Sequence, residues 1–124
     1  MKRDPDLIRR IAFEIEALPP ATWLDGVDGV DEYTFAAHIE WMVDAGLVEA
    51  RVRRPIDNTP PDVVVQRLTW QGCDFLDAAR SDTLWSKAKK SVIAPAASWT
   101  FDILTDWLKE EIRQGLPTIQ RLAQ

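Results

Sequence analysis

Arg67-Leu68-Thr69-Trp70-Gln71-Gly72-Cys73-Asp74-Phe75-Leu76-Asp77 reads as the end of a strand that turns without a loop into a helix. Thr69 is the capping residue at the junction, because its hydroxyl can accept a bond from a first-turn N–H. Phe75, Leu76 and Ala79 then recur on one side of a helix that runs to Arg80. Upstream, Val63-Val64-Val65-Gln66-Arg67-Leu68 is strand-like. Before it, Leu47 to Arg54 alternates, with Val48, Ala50 and Val52 on one face and Glu49, Arg51 and Arg53 on the other. Pro55 to Pro61 cannot continue a ladder, since proline lacks the N–H that pairing needs, so the two strands form a hairpin around a proline-rich loop.

A helix from Asp31 or Glu32 to Ala45 precedes the hairpin. Phe35, Ile39, Met42 and Val43 are its expected buried face, and Thr34, Ala37, His38 and Trp41 point away from that stripe. Gly46 is the expected left-handed C-terminal residue, with Leu47 folding back onto the helix. Earlier still, Asp4-Pro5-Asp6 starts a helix whose Ile8, Ile11, Ala12, Ile15 and Leu18 share one face, and Pro19-Pro20 stops it. Thr22-Trp23-Leu24 is a short strand candidate, and Asp25 to Asp31 is a Gly/Asp loop. Asp25, Asp28 and Asp31 recur every third residue, unlike the alternating ligands of a calcium loop. They read as a solvated turn that caps the next helix.

Beyond Arg80, Ser81-Asp82 recaps the chain and Thr83 to Lys90 is helical. Ser91 to Ala97, with Pro95, is a connector. Ser98 caps a last helix from Trp99 to Gln114, closed by Gly115. That helix carries an apolar stripe of Leu104, Trp107, Leu108 and Ile112. Helix, strand, proline-rich loop, strand, helix is the outline of an α+β, winged helix-turn-helix-like domain with a β-hairpin wing. The middle helix of such a domain has only Pro19 to Val30 available, with two prolines and two glycines, so it is expected to be missing or reduced to a turn. The expected division is a winged-helix domain over 1–90 and a connector with C-terminal helical extension over 91–124, the latter suited to dimerisation.

At 124 residues, 46% of them apolar, the chain can bury one core of modest size. No apolar run is long enough to cross a bilayer. Met1-Lys2-Arg3-Asp4-Pro5-Asp6 turns acidic at once and lacks a signal-peptide core. A lone cysteine makes no internal disulfide, which fits a reducing cytoplasm, and one histidine with one cysteine does not build a zinc site. The expectation is a cytoplasmic protein with no cofactor, no metal and no membrane partner. The net charge of −5 opposes a phosphate backbone, which basic surfaces bind by counterion release. Basic residues gather at Arg51, Arg53 and Arg54 and at Lys87, Lys89 and Lys90, where solvated surface charge is the plain reading.

Two resemblances follow from these residues. Tyr33 to Val48, with His38 and the Ala45-Gly46-Leu47-Val48 ending, resembles the recognition helix of winged-helix repressors of the arsenic-repressor type. A second pattern covers most of the chain. It comprises Met1-Lys2-Arg3-Asp4, Asp6-Leu7-Ile8-Arg9, His38-Ile39, Ala45-Gly46-Leu47, and Leu68-Thr69-Trp70-Gln71-Gly72 through Phe75-Leu76-Asp77 with Arg80, Asp82 and Trp85. It is similar to a family of small bacterial and prophage proteins known only as a domain of unknown function. That resemblance implies a winged-helix fold and a phage-related setting, and it carries no activity. The family usually has histidine at the position of Cys73, so no role of that histidine transfers to this chain.

Three functional classes are weighed on these residues. The first is protein recognition, including homodimerisation. Six tryptophans exceed what so short a chain needs for its core, and tryptophan is enriched at binding hot spots. Trp41, Trp99 and Trp107, with Leu104 and Leu108, are the expected interface, although large aromatics are also ordinary core residues. The second class is double-stranded DNA binding. The Asp31–Ala45 helix would enter the major groove with Thr34, Ala37, His38 and Trp41 toward base edges, and Arg51, Arg53 and Arg54 would meet phosphates. Glu40 and Asp44 oppose this, and the helix has no lysine or arginine for the commonest guanine contact. The third class is catalysis, which is not expected. There is no glycine-rich phosphate loop, His38 has no triad partner at a motif spacing, and Cys73 at a helix start reads first as a small core-filling residue.

Overall fold

A computed structural model describes residues 1–93 and 100–115; among these the chain is α+β, with five α-helices and one two-stranded antiparallel hairpin. It divides into two compact units, Met1–Leu76 and Asp77–Gln124.

Helix α1, Pro5–Glu16, starts where the sequence dictates. Asp4 Oδ1 accepts the N–H groups of Asp6 and Leu7 at 3.0 and 3.3 Å, and proline occupies the first turn, where its missing N–H costs nothing. Leu7, Ile8, Ile11, Ala12 and Ile15 are buried. After the double proline the strand candidate contracts to a single bridge, in which Leu24 and Val65 exchange both backbone bonds at 3.0 and 2.8 Å. The chain then makes a turn, closed by the Val30 N–H on the Val27 carbonyl, with Val27 buried.

Helix α2, Glu32–Asp44, is capped by Asp31 and ends in a Schellman arrangement. Gly46 takes φ +74°, the Gly46 N–H reaches the Val43 carbonyl, and the Leu47 N–H reaches the Met42 carbonyl. Its buried residues are Phe35, Ala36, His38, Ile39 and Met42. Two expectations are corrected here. Val43 is 40% exposed, the core contact of the last turn being made by its neighbour Met42, whereas His38 is 1% exposed because the start of α1 lies over its edge of the helix.

Strands β1, Val48–Arg53, and β2, Asp62–Leu68, pair from Val48↔Leu68 to Arg53↔Asp62, with a shift between Glu49 and Ala50. The shift leaves Gln66 as the extra residue of a β-bulge. Val63 and Val65 face the core by simple alternation, and the bulge lets both Gln66 and Arg67 turn outward so that Leu68 returns to the core. Arg67 then grips its cross-strand partner Glu49 with two bonds, at 3.0 and 2.7 Å. In this unit α1 and α2 pack on the hairpin and on each other.

Helix α3, Trp70–Ala79, leaves the hairpin through a junction that explains the opening motif. The Thr69 N–H donates to the Leu47 carbonyl at 2.9 Å, and the Thr69 hydroxyl donates to the Gly46 carbonyl while accepting the Gly72 N–H at 3.1 Å. Gly72 lies so near the same carbonyl that a Cβ there would stand 2.0 Å from the Leu47 oxygen. Phe75, Leu76 and Ala79 are buried as the spacing requires. Cys73 is exposed, which corrects the core-filling reading; the buried stripe of α3 passes through Gly72 and Leu76 and leaves residue 73 outside it.

In the second unit Ser81 caps α4, Asp82–Ala88, by accepting the Leu84 N–H at 3.2 Å. The helix runs on through a π-helical turn, Lys89–Ile93, so Ser91 to Ile93 are helical and not part of a connector. Thr100 caps α5, Phe101–Gly115, with its hydroxyl oxygen accepting the Ile103 N–H at 3.2 Å; Ser98 and Trp99 lie outside the described residues. Helix α5 packs on α4 and the π-helical turn, with Trp85, Ala88, Val92, Leu104 and Leu108 buried. No helix among the described residues is long and apolar enough to cross a membrane.

The junction generates a stability prediction. Gly72→Ala forces α3 away from backbone that cannot yield as a side chain would, so it should cost about 3 kcal/mol, the upper range for overpacking. Urea unfolding followed by circular dichroism measures this, and a loss within the error of Gly115→Ala, whose added Cβ meets nothing, would refute the close-approach account.

Candidate functional site

The surface to which the sequence pointed is α2 with the loop of the hairpin. That loop is held in shape locally: Asp57 Oδ1 accepts both the N–H and the hydroxyl of Thr59, and these bonds hold the Asp57 carboxyl below its ordinary value of 3.8. Two contacts hold the loop and its base against α2. The Tyr33 hydroxyl donates to the Asn58 carbonyl at 2.8 Å, and Arg54 Nη2 reaches both carboxylate oxygens of Glu40 at 2.5 Å. Both partners of the ion pair meet solvent, so it is worth at most about 1 kcal/mol, and its importance lies in where it aims Arg54. Arg51 and Arg53 are exposed on the outer face of the hairpin, opposite Val64 and Asp62, and neither has a hydrogen-bond or ion-pair partner among the described residues.

The four helix residues proposed to read bases do not form an outward row. Thr34 is committed to its own cap: its N–H and hydroxyl donate to the two carboxylate oxygens of Asp31 at 2.9 and 2.6 Å. His38 is corrected from a base-facing residue to a buried one. Its Nδ1 lies 2.8 Å from the Thr34 carbonyl, and its Nε2 lies 2.9 Å from the Asp4 N–H. A carbonyl only accepts and a backbone amide only donates, so the ring carries its proton on Nδ1 and accepts at Nε2. His38 thereby ties the start of α1 to the middle of α2. Trp41 packs edge-on against that ring, with centroids 5.1 Å apart, and is half-buried, as is Ala37.

The residues expected at a protein interface also separate. Leu104 and Leu108 are fully buried inside the second unit and present no surface; Trp107 is half-buried; Trp99 lies outside the described residues.

A different concavity, one that sequence reasoning did not assemble, lies at the loop end of the hairpin within the first unit. It encloses about 450 Å³, inside the size range of small-ligand clefts. Phe35, Val63 and Val64 supply apolar walls, Trp23 stands 60% exposed beside them, and Asp25, Glu32 and Asp62 line it with no basic residue. The Leu24–Val65 bridge fixes the backbone next to Trp23, so the indole sits on a defined edge. The sequence signal for this site was Trp23, in the short strand candidate between the double proline and the acidic loop.

Two predictions come from these bonds. Asp31 is held below its ordinary 3.8 chiefly by the Thr34 hydroxyl and then by the Thr34 N–H. A carboxyl lowered in the folded state stabilises the fold above the unfolded-state value and loses that contribution as pH falls through the lower folded value. Asp31→Ala should therefore lower Tm at neutral pH, and the gap to wild type should close below pH 3.8; a gap independent of pH would sink the charged-cap account. His38→Leu should cost about 1–3 kcal/mol by leaving the Asp4 N–H without its acceptor. His38→Gln, whose Oε1 can take the acceptor place of Nε2, should recover part of that in denaturant melts, and equal losses in both variants would argue against the acceptor role.

Residues 2–98 match the model of the family described as "Hypothetical protein (DUF2513)". An uncharacterized protein of Haemophilus influenzae is 31% identical over 119 residues, which span 94% of this chain and 99% of that protein. No solved structure matches the chain. The shared length and the family match together place this chain in the DUF2513 family of hypothetical proteins.

Proposed function

We propose that Met1–Leu76 is a winged-helix-like module whose task is recognition of another protein, in the regulatory or phage-related setting that its resemblances imply, and that it is not an enzyme. The order α1, Leu24 bridge, turn, α2, β1, loop, β2 is that of a winged helix with its middle helix reduced to the Val27–Val30 turn. The observation that carries the protein reading is the sign of the charge on α2. Glu32, Glu40 and Asp44 line its outer side, no lysine or arginine occurs within it, and Glu40 holds Arg54, the loop-base cation nearest the helix. A helix of this kind repels a phosphate backbone. It suits a partner surface through Tyr33, Ala37, Trp41 and the fully exposed Ile56 at the tip of the loop.

Double-stranded DNA remains the competing reading, favoured by the exposed Arg51 and Arg53, which have no ion-pair partner among the described residues. A labelled random duplex separates the two. Fluorescence anisotropy at low salt should give no saturable binding to this protein. Binding whose logarithm falls steeply with salt, and whose slope shrinks in Arg51→Ala/Arg53→Ala, would overturn the protein reading. As the positive arm, native-extract capture on wild type and on Ala37→Arg should differ by at least one specifically retained protein. Identical retention would count against α2 as the recognition face.

A further inference from the structure

The trough at the loop end of the hairpin is bordered by three carboxylates. Among the described residues Glu40 is answered by Arg54, Glu49 by Arg67, Asp77 by Arg80 and Glu110 by Arg113. Asp25, Glu32 and Asp62 are not; among the described residues none of the three has an ion-pair or hydrogen-bond partner, and all three border one concavity. They are drawn together from three different segments: the residue after the Leu24 bridge, the first turn of α2, and the first residue of β2. Arg53 lies across the strands from Asp62 without closing an ion pair, and it belongs to β1, whereas the trough opens along β2.

Inside this acidic rim the surface is apolar. Phe35 and Val63 are buried at its base, and the Trp23 ring is exposed beside it, on backbone that both bonds of the Leu24–Val65 pair hold in place. A ring face next to unanswered carboxylates is the arrangement that receives a cation with an apolar stem. Arginine fits it better than lysine, because a planar guanidinium stacks on an indole and still offers donors in its plane to several carboxylates.

We propose that this trough is the docking site for an arginine-bearing segment of the partner protein, with the guanidinium stacked on Trp23 among Asp25, Glu32 and Asp62 and a neighbouring apolar side chain seated on Phe35 and Val63. It deepens the protein-recognition reading and rests on it. A nucleic acid is excluded from this site by the same three carboxylates. The occupant is identified by charge complementarity: the rim lacks any cation of its own, and the partner supplies it.

The test uses the full chain, labelled with nitrogen-15, and two probe peptides, acetyl-Gly-Leu-Arg-Leu-Gly-amide and its glutamate counterpart. Titration of the arginine peptide should shift the Trp23 indole N–H and the amides of Gly26, Glu32, Val63 and Val64, and leave the indole of Trp70, exposed elsewhere in the first unit, unmoved. Raising salt should weaken binding, and Glu32→Gln and Asp62→Asn should each weaken it about threefold, the scale of a solvent-exposed ion pair. Trp23→Leu should weaken it further, and the unchanged remainder of the spectrum verifies that each variant is folded. Equal shifts from both peptides, or none from either, would overturn the proposal. Arginine-specific shifts confined to Ala37, Trp41 and Ile56 would overturn the trough while leaving the protein-recognition reading intact, and that reading fails separately if the labelled duplex binds with a steep salt slope.

Discussion

The carbonyl of Leu47 occupies the space in which residue 72 would carry a side chain. Much of the first unit depends on this contact. The Schellman turn that ends α2 presents the Gly46 and Leu47 carbonyls, and the residues that begin α3 come to meet them: the Thr69 amide and hydroxyl as donors, and Gly72 as the place where backbone approaches backbone. The sequence runs Ala45-Gly46-Leu47 and Leu68-Thr69-Trp70-Gln71-Gly72 are therefore two halves of one joint. Every residue between them belongs to a hairpin whose two ends are fastened at the same point.

With the hairpin fastened there, its loop lies against α2, and the charges follow. Arg54 is drawn to Glu40, Tyr33 reaches Asn58, and the carboxylates at the start of α2 and at the start of β2 converge on the trough beside Trp23. The winged-helix reading proposed for this unit would by itself suggest nucleic acid, yet fold does not imply function. Here the helix that would have to approach phosphate carries acidic groups on its outer side, and the exposed aromatic and aliphatic groups lie around it.

The features legible in the sequence were those set by local chemistry. Asp4-Pro5, Asp31, Gly46, Thr69 and Ser81 all act as punctuation through bonds to their own or neighbouring turns, and each does so in the structure. The hairpin alternation was equally plain, because β1 is buried on one face only. What escaped was set by contacts distant in sequence. His38 is polar and sits at the edge of the apolar stripe of α2, and only the arrival of the Asp4 amide, 34 residues upstream, makes its burial favourable. Val43 fits the stripe by angle, yet in the last turn it is Met42 that enters the core and Val43 that meets solvent. Cys73 is a small residue beside a buried glycine, and its exposure follows from the direction in which Gly72 faces. The trough was invisible for the same reason, since its carboxylates come from segments that no local pattern connects.

The bulge at Gln66 fixes the phase in which the hairpin hands the chain to α3. Without the extra residue, a strand that buried Val63 and Val65 would bury Arg67 next and turn Leu68 outward. The bulge moves the period by one, so the arginine meets Glu49 in solvent and the leucine enters the core immediately ahead of Thr69. The hairpin is thus a geared element: its outer end is set by alternation and its inner end by the joint at Leu47, and one unpaired residue reconciles the two counts.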